Sequence, residues 1–403
     1  MKKRYLLVGS LAFSLVIGKA QPRDTTEFKV NATEVEVLYN QYIQDGDHSA
    51  VTGGIGTEKL TVYGPYLSLK KYLGRNAYTF QMGSDIISSA STDNIDFVVS
   101  SASKVDTRYY SNVYYTRSVG NNNLTLNAGM GLSIESDYLS LAKYLGLSKQ
   151  SKDEMQNFFL QLQIFNDDLR WGRLNPDYYR PVKLIYPEEL RNSEWYDEYR
   201  RNSYNLHLGY NRILDKRDII GLFSYLSIQN GLLETPFHRI YFNDGSLAVE
   251  QLPEKRYRAS LAAQWNGFIG GHIILKNSLN GYMDNFGIRG IWLDNETILK
   301  LNYKWSLVPS IRLYTQKAST YFAPYMQHKS NEKYYTSDYD LSKFQSVKLG
   351  LGFNYHPYLT GKIPLQNLNL KYLFYRQSNG LKSHVISLLM NFRYKAKVKK
   401  KRK

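Results

Sequence analysis

Alternation of apolar and polar side chains with a period of two is the feature that most constrains the fold of this 403-residue chain. In residues 123–135 every even position is apolar and every odd position is polar or small, and residues 347–356 and 367–377 repeat the pattern. Successive side chains of a strand point to opposite faces, so these segments predict strands with one apolar and one polar face. A soluble sandwich shows the same alternation, so further features must decide between a sandwich and a membrane barrel.

The N-terminus has the order of a secretory signal peptide. Basic residues 2–4 precede the apolar run 5–18, and Lys19, Ala20 and Gln21 follow. We therefore expect residues 1–20 to be removed on secretion. The alternative is an N-terminal anchor, which the run disfavours because it is shorter than the roughly 20 residues of a spanning helix. No long apolar stretch follows, so the mature chain is predicted to cross a bilayer as a closed barrel.

Composition agrees with a barrel in an oxidising envelope. Tyrosine contributes 36 residues and aromatic residues together make up 14% of the chain, as expected for the aromatic girdles at the two membrane interfaces. The chain has no cysteine, which suits an envelope in which a stray thiol is a liability.

Placing turns between the alternating segments predicts about sixteen strands, an even number as expected for a single-chain barrel. The two weakest are 138–146 and 286–294, so fourteen strands is the fallback. The predicted strands are 33–45, 58–72, 77–88, 104–118, 123–136, 138–146, 154–170, 197–213, 219–232, 255–267, 271–285, 286–294, 297–320, 341–356, 365–378 and 381–394.

Short and long connections alternate along the chain. The long ones, 171–196, 233–254 and 321–340, all fall on one side if both ends of the mature chain are periplasmic, which is the asymmetry of bacterial barrels. The sequence therefore predicts an all-β transmembrane barrel over residues 21–394 with a polar lumen and long outer loops.

The formal net charge of +17 does not indicate a nucleic-acid protein. Four basic residues lie in the signal peptide and seven in the tail 395–403, which leaves about +6 for the barrel, without the basic face that nucleic-acid binding needs. The tail is predicted to be a basic periplasmic end. It either contacts anionic lipid or cell-wall polymer, or is solvated and has no partner.

Enzyme and cofactor motifs are missing from the sequence. There is no phosphate loop with lysine, no HExxH and no GxSxG, and the glycines of residues 53–56 fit a tight turn because no helical segment follows them. The seven histidines are scattered and no pair has metal-ligand spacing. We expect a protein that is not an enzyme and has neither a metal nor a cofactor of its own.

Polar and small-residue clusters recur at strand ends and in the long loops. They occupy residues 45–58, 84–91, 99–108, 133–138, 235–245 and 253–256. Together these clusters resemble a family of bacterial outer-membrane β-barrels catalogued as a domain of unknown function. The resemblance implies a barrel in the outer membrane. It also implies genes often beside a transferase that attaches flavin mononucleotide to proteins, hence a redox setting, but it implies no catalytic residue.

Three groups of residues are candidates for a site. Asp85, Asp106 and Arg108, with Glu135 nearby, are predicted to fasten loop 88–103 inside the lumen and constrict it, because Asp106 and Arg108 share a strand face. A ligand site is the alternative. The other two groups are the loop residues Phe237, His238, Arg239 and Asp244, as a plug, a surface epitope or a docking site, and the basic lumen residues Arg256, Arg258, Lys348 and Lys371.

Two functions remain open at this point. One is a channel for small hydrophilic solutes with a mild anion preference, since sixteen strands leave room for an aqueous lumen. The other is a closed scaffold or receptor barrel that docks a lipoprotein or a flavin- or haem-bearing redox partner. Membrane lipid is the one partner expected in both cases, and the sequence leaves the oligomeric state open.

Overall fold

The computed structural model describes residues 31–89, 105–120, 123–135, 138–169, 200–235, 238–357 and 364–395. The predicted signal peptide, most of loop 88–103 and the tail beyond Lys395 lie outside the described residues, so their roles stay predictions. No helix in the described segments is long and apolar enough to cross a membrane.

Sixteen antiparallel strands form one closed barrel, which confirms the predicted architecture and strand number. Each strand pairs with the next barrel strand along the chain, and the last pairs with the first along their whole length, so the sheet has no free edge. The strands are β1 Ala32–Asp45, β2 Leu60–Leu73, β3 Asn76–Ser89, β4 Val105–Val119, β5 Leu124–Glu135, β6 Tyr138–Gln150, β7 Gln156–Asp168, β8 Arg200–Ile213, β9 Asp218–Gly231, β10 Arg239–Tyr241, β11 Leu247–Val249, β12 Lys255–Ile269, β13 Ile273–Asp284, β14 Arg289–Lys300, β15 Trp305–Gln316, β16 Phe344–Tyr355, β17 Leu365–Gln377 and β18 Lys382–Lys395. The short β10 and β11 form a separate hairpin within one long loop.

The predicted boundary between strands 286–294 and 297–320 was wrong. β14 continues through this point to Lys300, and the turn lies at residues 301–304, where the Asn302 carboxamide oxygen accepts hydrogen bonds from the Lys304 and Trp305 amides. Asp294, Asn295 and Glu296 suggest a turn when they are read alone. Asp294 and Glu296 instead bind basic side chains on the inner wall, and the strand continues.

Smaller differences occur at two other turns. The turn between predicted strands 255–267 and 271–285 lies at 270–272, where Gly270 and Gly271 have φ angles of 57° and 78°. β6 runs to Gln150 rather than to 146. The glycine-rich segment 53–56 is a tight turn as predicted, with Gly53 and Gly54 at φ 78° and 88°, a conformation that glycine adopts without steric cost.

The outer face of the barrel is apolar. Met130, Leu261 and Leu145 are 64%, 62% and 58% exposed, and all three point away from the lumen. The strands of twelve to fifteen residues, rising about 3.3 Å per residue and tilted by about 40°, give a wall close to the roughly 30 Å of a bilayer core. Length and surface therefore match those of a membrane-spanning barrel.

The inner wall is mostly polar but includes one apolar cluster. Its members come from five neighbouring strands and are buried: Tyr42, Leu60, Ile87, Leu373 and Val385. A second buried cluster joins the loops to the wall, with Phe286, Ile288, Leu252 and Leu341 packed against Tyr282. The lumen is thus less uniformly polar than the strand alternation predicts, and at the second cluster the apolar side chains of the wall support packed loops.

The two ends of the barrel differ. One end has seven connections, of which that at 74–75 spans two residues, and both ends of the described chain lie there. The opposite end has the long connections at 46–59, 232–254 and 317–343. We refer to these as the turn end and the loop end.

Candidate functional site

Six charged side chains form a cluster on the inner wall between β13 and β17. We call Lys276, Asp294, Glu296, Arg312, Lys348 and Lys371 the inner-wall cluster. Arg312 binds Asp294 with two hydrogen bonds, of 2.5 Å from Nε to Oδ1 and 3.0 Å from a terminal nitrogen to Oδ2. Lys348 is the residue directly across from Arg312 on β16. Four cations thus face two carboxylates in this part of the lumen.

Glu296 is bound by lysines from two separate strands. Lys276 Nζ lies 3.1 Å from Oε1 and Lys371 Nζ lies 3.2 Å from Oε2. Lys371 reaches across β15 and β16, where the inward positions Ser310 and Gly350 are small. An added Cβ at Gly350 would lie 2.3 Å from Ser310 Oγ and 2.5 Å from a Leu373 methyl group, so a side chain there would require both neighbours to shift.

The predicted group of Asp85, Arg108 and Glu135 comes together at the loop end. Arg108 lies 3.8 Å from Asp85 and 3.8 Å from Glu135, and its Nε donates to Ser133 Oγ at 2.9 Å. Asp106 is buried on the same face two residues away. The register of β3 and β4 places Arg108 directly opposite Asp85. Most of the loop that these residues were predicted to fasten lies outside the described part of the chain.

Two further ion pairs lie at the loop end. Arg201 binds Asp167 at 2.6 Å, and the Tyr138 hydroxyl donates to the same carboxylate at 3.0 Å. Arg256 binds Asp284 at 2.5 Å. Neither acid was predicted. The sequence could have indicated both acids, because each is the last or second-last residue of a strand. Each also occupies one of the alternate positions whose side chains point into the lumen.

The four basic residues predicted to line the lumen all point inward. Arg256 binds Asp284 as above, and Arg258 donates to Ser227 Oγ at 3.0 Å. Lys348 and Lys371 belong to the inner-wall cluster. The four therefore lie in two places, the arginines near the loop end and the lysines deeper in the wall.

Three loops pack together over the loop end, and we call residues 46–59, 238–254 and 317–343 the loop cap. Gln251 and Tyr335 exchange backbone hydrogen bonds of 3.2 and 2.8 Å, and the His48 ring stacks on Tyr339 with centroids 3.7 Å apart. Gln316, the last residue of β15, donates to the carbonyls of Asp340 and Ser342 at 3.0 and 2.6 Å. The cap is thereby anchored to the wall.

The predicted docking residues divide between the interior and the surface of the cap. His238 and Arg239 are buried, whereas Asp244 is exposed in the hairpin turn and accepts a hydrogen bond from the Ser246 amide. This lowers the pKa of Asp244 to about 2, through bonds from the Ser246 hydroxyl and amide. Phe237 lies outside the described residues. His238 and Arg239 thus lie in the interior of the cap, whereas Asp244 lies on its surface.

His238 meets two carboxylates inside the cap. Its Nδ1 lies 3.4 Å from Glu250 Oε2 and 3.9 Å from Asp338 Oδ2, and all three residues are buried. This is a set of possible metal ligands. Sequence spacing missed it because the three residues come from two loops that meet only in the folded cap.

A half-buried carboxyl, that of Glu234, lies just before the cap. Burial raises its pKa from 4.5 to about 7, with a smaller contribution from the negative charge of Glu250. The ionised form is disfavoured because it loses hydration.

Residues 92–385 match the family described as protein of unknown function (DUF3570). The chain belongs to this family. The match extends over most of the barrel, and it agrees with the resemblance found in the polar clusters. A comparison with curated proteins found no match.

Several solved barrels are similar in shape at low sequence identity. The outer membrane protein opdK from Pseudomonas aeruginosa is 9% identical over 90% of this chain and 99% of its own, with a TM-score of 0.39. A BenF-like porin from Pseudomonas fluorescens Pf-5 is 10% identical over 91% and 99%, with a TM-score of 0.42. A bacterial polysaccharide outer membrane secretin is 10% identical over 89% and 98%, with a TM-score of 0.46. Each score is below 0.5, so none of the three bears on function.

Proposed function

We propose that this protein is an outer-membrane channel for small hydrophilic solutes that favours anions. The membrane location is supported by a closed barrel whose apolar outer face and strand length suit a bilayer. A sixteen-stranded barrel is wide enough to leave an aqueous lumen.

The inner-wall cluster is the observation that supports the solute class. Four cations and two carboxylates project from β13 to β17, so the cluster has a formal charge of +2. In a lumen bounded by a low-dielectric wall, a fixed charge of one sign raises the local concentration of the opposite ion. The solutes that this wall attracts are small anions, and the loop cap lies at the mouth through which they enter.

Conductance of the full-length mature barrel in a planar bilayer tests the proposal. We expect steady open steps and, in a salt gradient, a reversal potential on the anion-selective side. Lys348→Gln should shift that potential towards cation selectivity, because it removes one of the four positive charges. Lys216→Gln is the matched control, since Lys216 is exposed in a short turn at the turn end.

One result would overturn the channel, and another would overturn the role given to the inner-wall cluster. A barrel that assembles but never conducts favours the closed scaffold that docks a lipoprotein or redox partner, and capture of such a partner from the envelope would then identify it. A conducting barrel whose selectivity is the same with Lys348→Gln would show that the inner-wall cluster does not set the preference.

A further inference from the structure

We propose that His238, Glu250 and Asp338 form a binding site for one divalent transition-metal ion, Zn²⁺ by preference, that joins two loops of the cap. The site is separate from the inner-wall cluster and its role does not depend on conduction. His238 and Glu250 belong to the loop that contains the hairpin β10–β11, and Asp338 belongs to the loop between β15 and β16.

The first argument is distance. Zinc binds imidazole nitrogen and carboxylate oxygen at about 2.0–2.2 Å, so neighbouring ligand atoms in a tetrahedral site lie about 3.4 Å apart. His238 Nδ1 is already 3.4 Å from Glu250 Oε2 and 3.9 Å from Asp338 Oδ2. The ligand atoms of all three residues lie within 4.8 Å of one another. The His238–Asp338 distance must shorten by about half an ångström, and the distance between the two carboxylate oxygens by at most about 1.4 Å, to reach coordinating positions.

The second argument is the state of His238. The residue is 6% exposed, and its Nδ1 has no hydrogen-bond partner in the described part of the chain. A buried polar atom without a partner costs free energy, and here it faces two carboxylate oxygens. A cation between the three atoms gives the imidazole lone pair a partner. The charge of +2 also balances the two carboxylates.

The third argument is that neighbouring groups orient the ligands. Thr336 donates its hydroxyl hydrogen to Glu250 Oε1, and the Asp338 amide donates to the Thr336 hydroxyl oxygen at 3.1 Å. The Thr235 amide donates to Glu250 Oε2 at 2.7 Å, and the Asp340 amide donates to Asp338 Oδ1 at 2.9 Å. Hydrogen bonds that fix ligating side chains in this way are typical of protein metal sites.

The ligand set selects the class of metal. Calcium and magnesium prefer sites made of oxygen ligands alone, so the imidazole favours a zinc-like ion. Three protein ligands leave the fourth tetrahedral position for water. Because the ligands come from two loops, binding should hold the cap closed.

The test uses the full-length mature barrel in detergent, stripped with EDTA and titrated with Zn²⁺ by calorimetry and with Co²⁺ by visible absorption. We expect one equivalent per chain and a cobalt spectrum with low-coordinate intensity. His238→Gln and Asp338→Asn should weaken binding by about tenfold or more, since even partners of ligands contribute that much. His272→Gln, an exposed histidine at the turn end, should bind as the wild type does.

His238→Cys keeps the test decisive if the glutamine variant loosens the cap. A thiolate at this position should retain the cobalt and add a sulfur-to-metal charge-transfer band, which appears only if residue 238 is a ligand. The proposal is overturned if the wild type binds no saturable equivalent, if His238→Gln binds with unchanged affinity, or if His238→Cys binds cobalt without that band. The first two results would identify the cluster as an ordinary histidine–carboxylate ion pair.

Discussion

Leu261 and Gln264 provide a direct test of which face of β12 meets lipid. Each lies within two residues of the middle of the strand, so both are near the bilayer midplane. Leu261 is 62% exposed on the outer face, whereas Gln264 points into the lumen between Gly221 and Ser278. Replacing each with arginine puts the same charge at nearly the same depth but on opposite sides of the wall.

The two arginine substitutions are expected to lower the free energy of unfolding by amounts that differ several-fold. Arginine on the lipid face costs about 2–4 kcal/mol at the midplane. Losing the lipid contact of the leucine adds roughly 2 kcal/mol. Leu261→Arg should therefore lower the free energy of unfolding by about 5 kcal/mol, and Gln264→Arg by no more than about 1 kcal/mol.

Unfolding by denaturant of the barrel refolded into lipid vesicles measures both values. Heat-modifiable migration on gels gives an independent readout of assembly. Equal destabilisation by the two variants would mean that both faces of β12 pack against protein. That result would contradict the assignment of the outer face to lipid.

Two further predictions concern the loop end. Arg201→Met should destabilise the barrel by about 3–5 kcal/mol in a denaturant titration, because it leaves the Asp167 carboxylate, 2% exposed, without this cation. Adding Asp167→Asn should recover most of the loss. If stability does not recover, the two residues are not energetically coupled. The pKa of Glu234 is about 7 in the folded state and about 4.5 in the unfolded state. Its contribution to the free energy of unfolding is therefore fully present below about pH 4.5 and is lost as the pH rises through 7. The loss is roughly 3 kcal/mol at most. Limited proteolysis of the cap in EDTA should therefore accelerate between about pH 5 and 8 in the wild type but not in Glu234→Gln, and identical profiles would exclude Glu234 as the titrating group.

The sequence by itself determined the barrel, because strand facing is a local property. Alternation with a period of two assigns each side chain to a face without knowledge of its neighbours. The same alternation assigns Lys348 and Lys371 to the lumen face and predicts sixteen strands. Asp85 and Arg108 were also predicted as partners, since adjacent strands and a short register range limit what each can meet.

Only the tertiary structure decided the contacts between residues that are distant in sequence. The strand boundary near 295 depended on inner-wall partners of Asp294 and Glu296 that lie on other strands. Lys371 reaches Glu296 only because barrel curvature and small residues on β15 and β16 leave a path. His238, Glu250 and Asp338 meet because two long loops fold onto each other, and loop packing has no sequence period that reveals it.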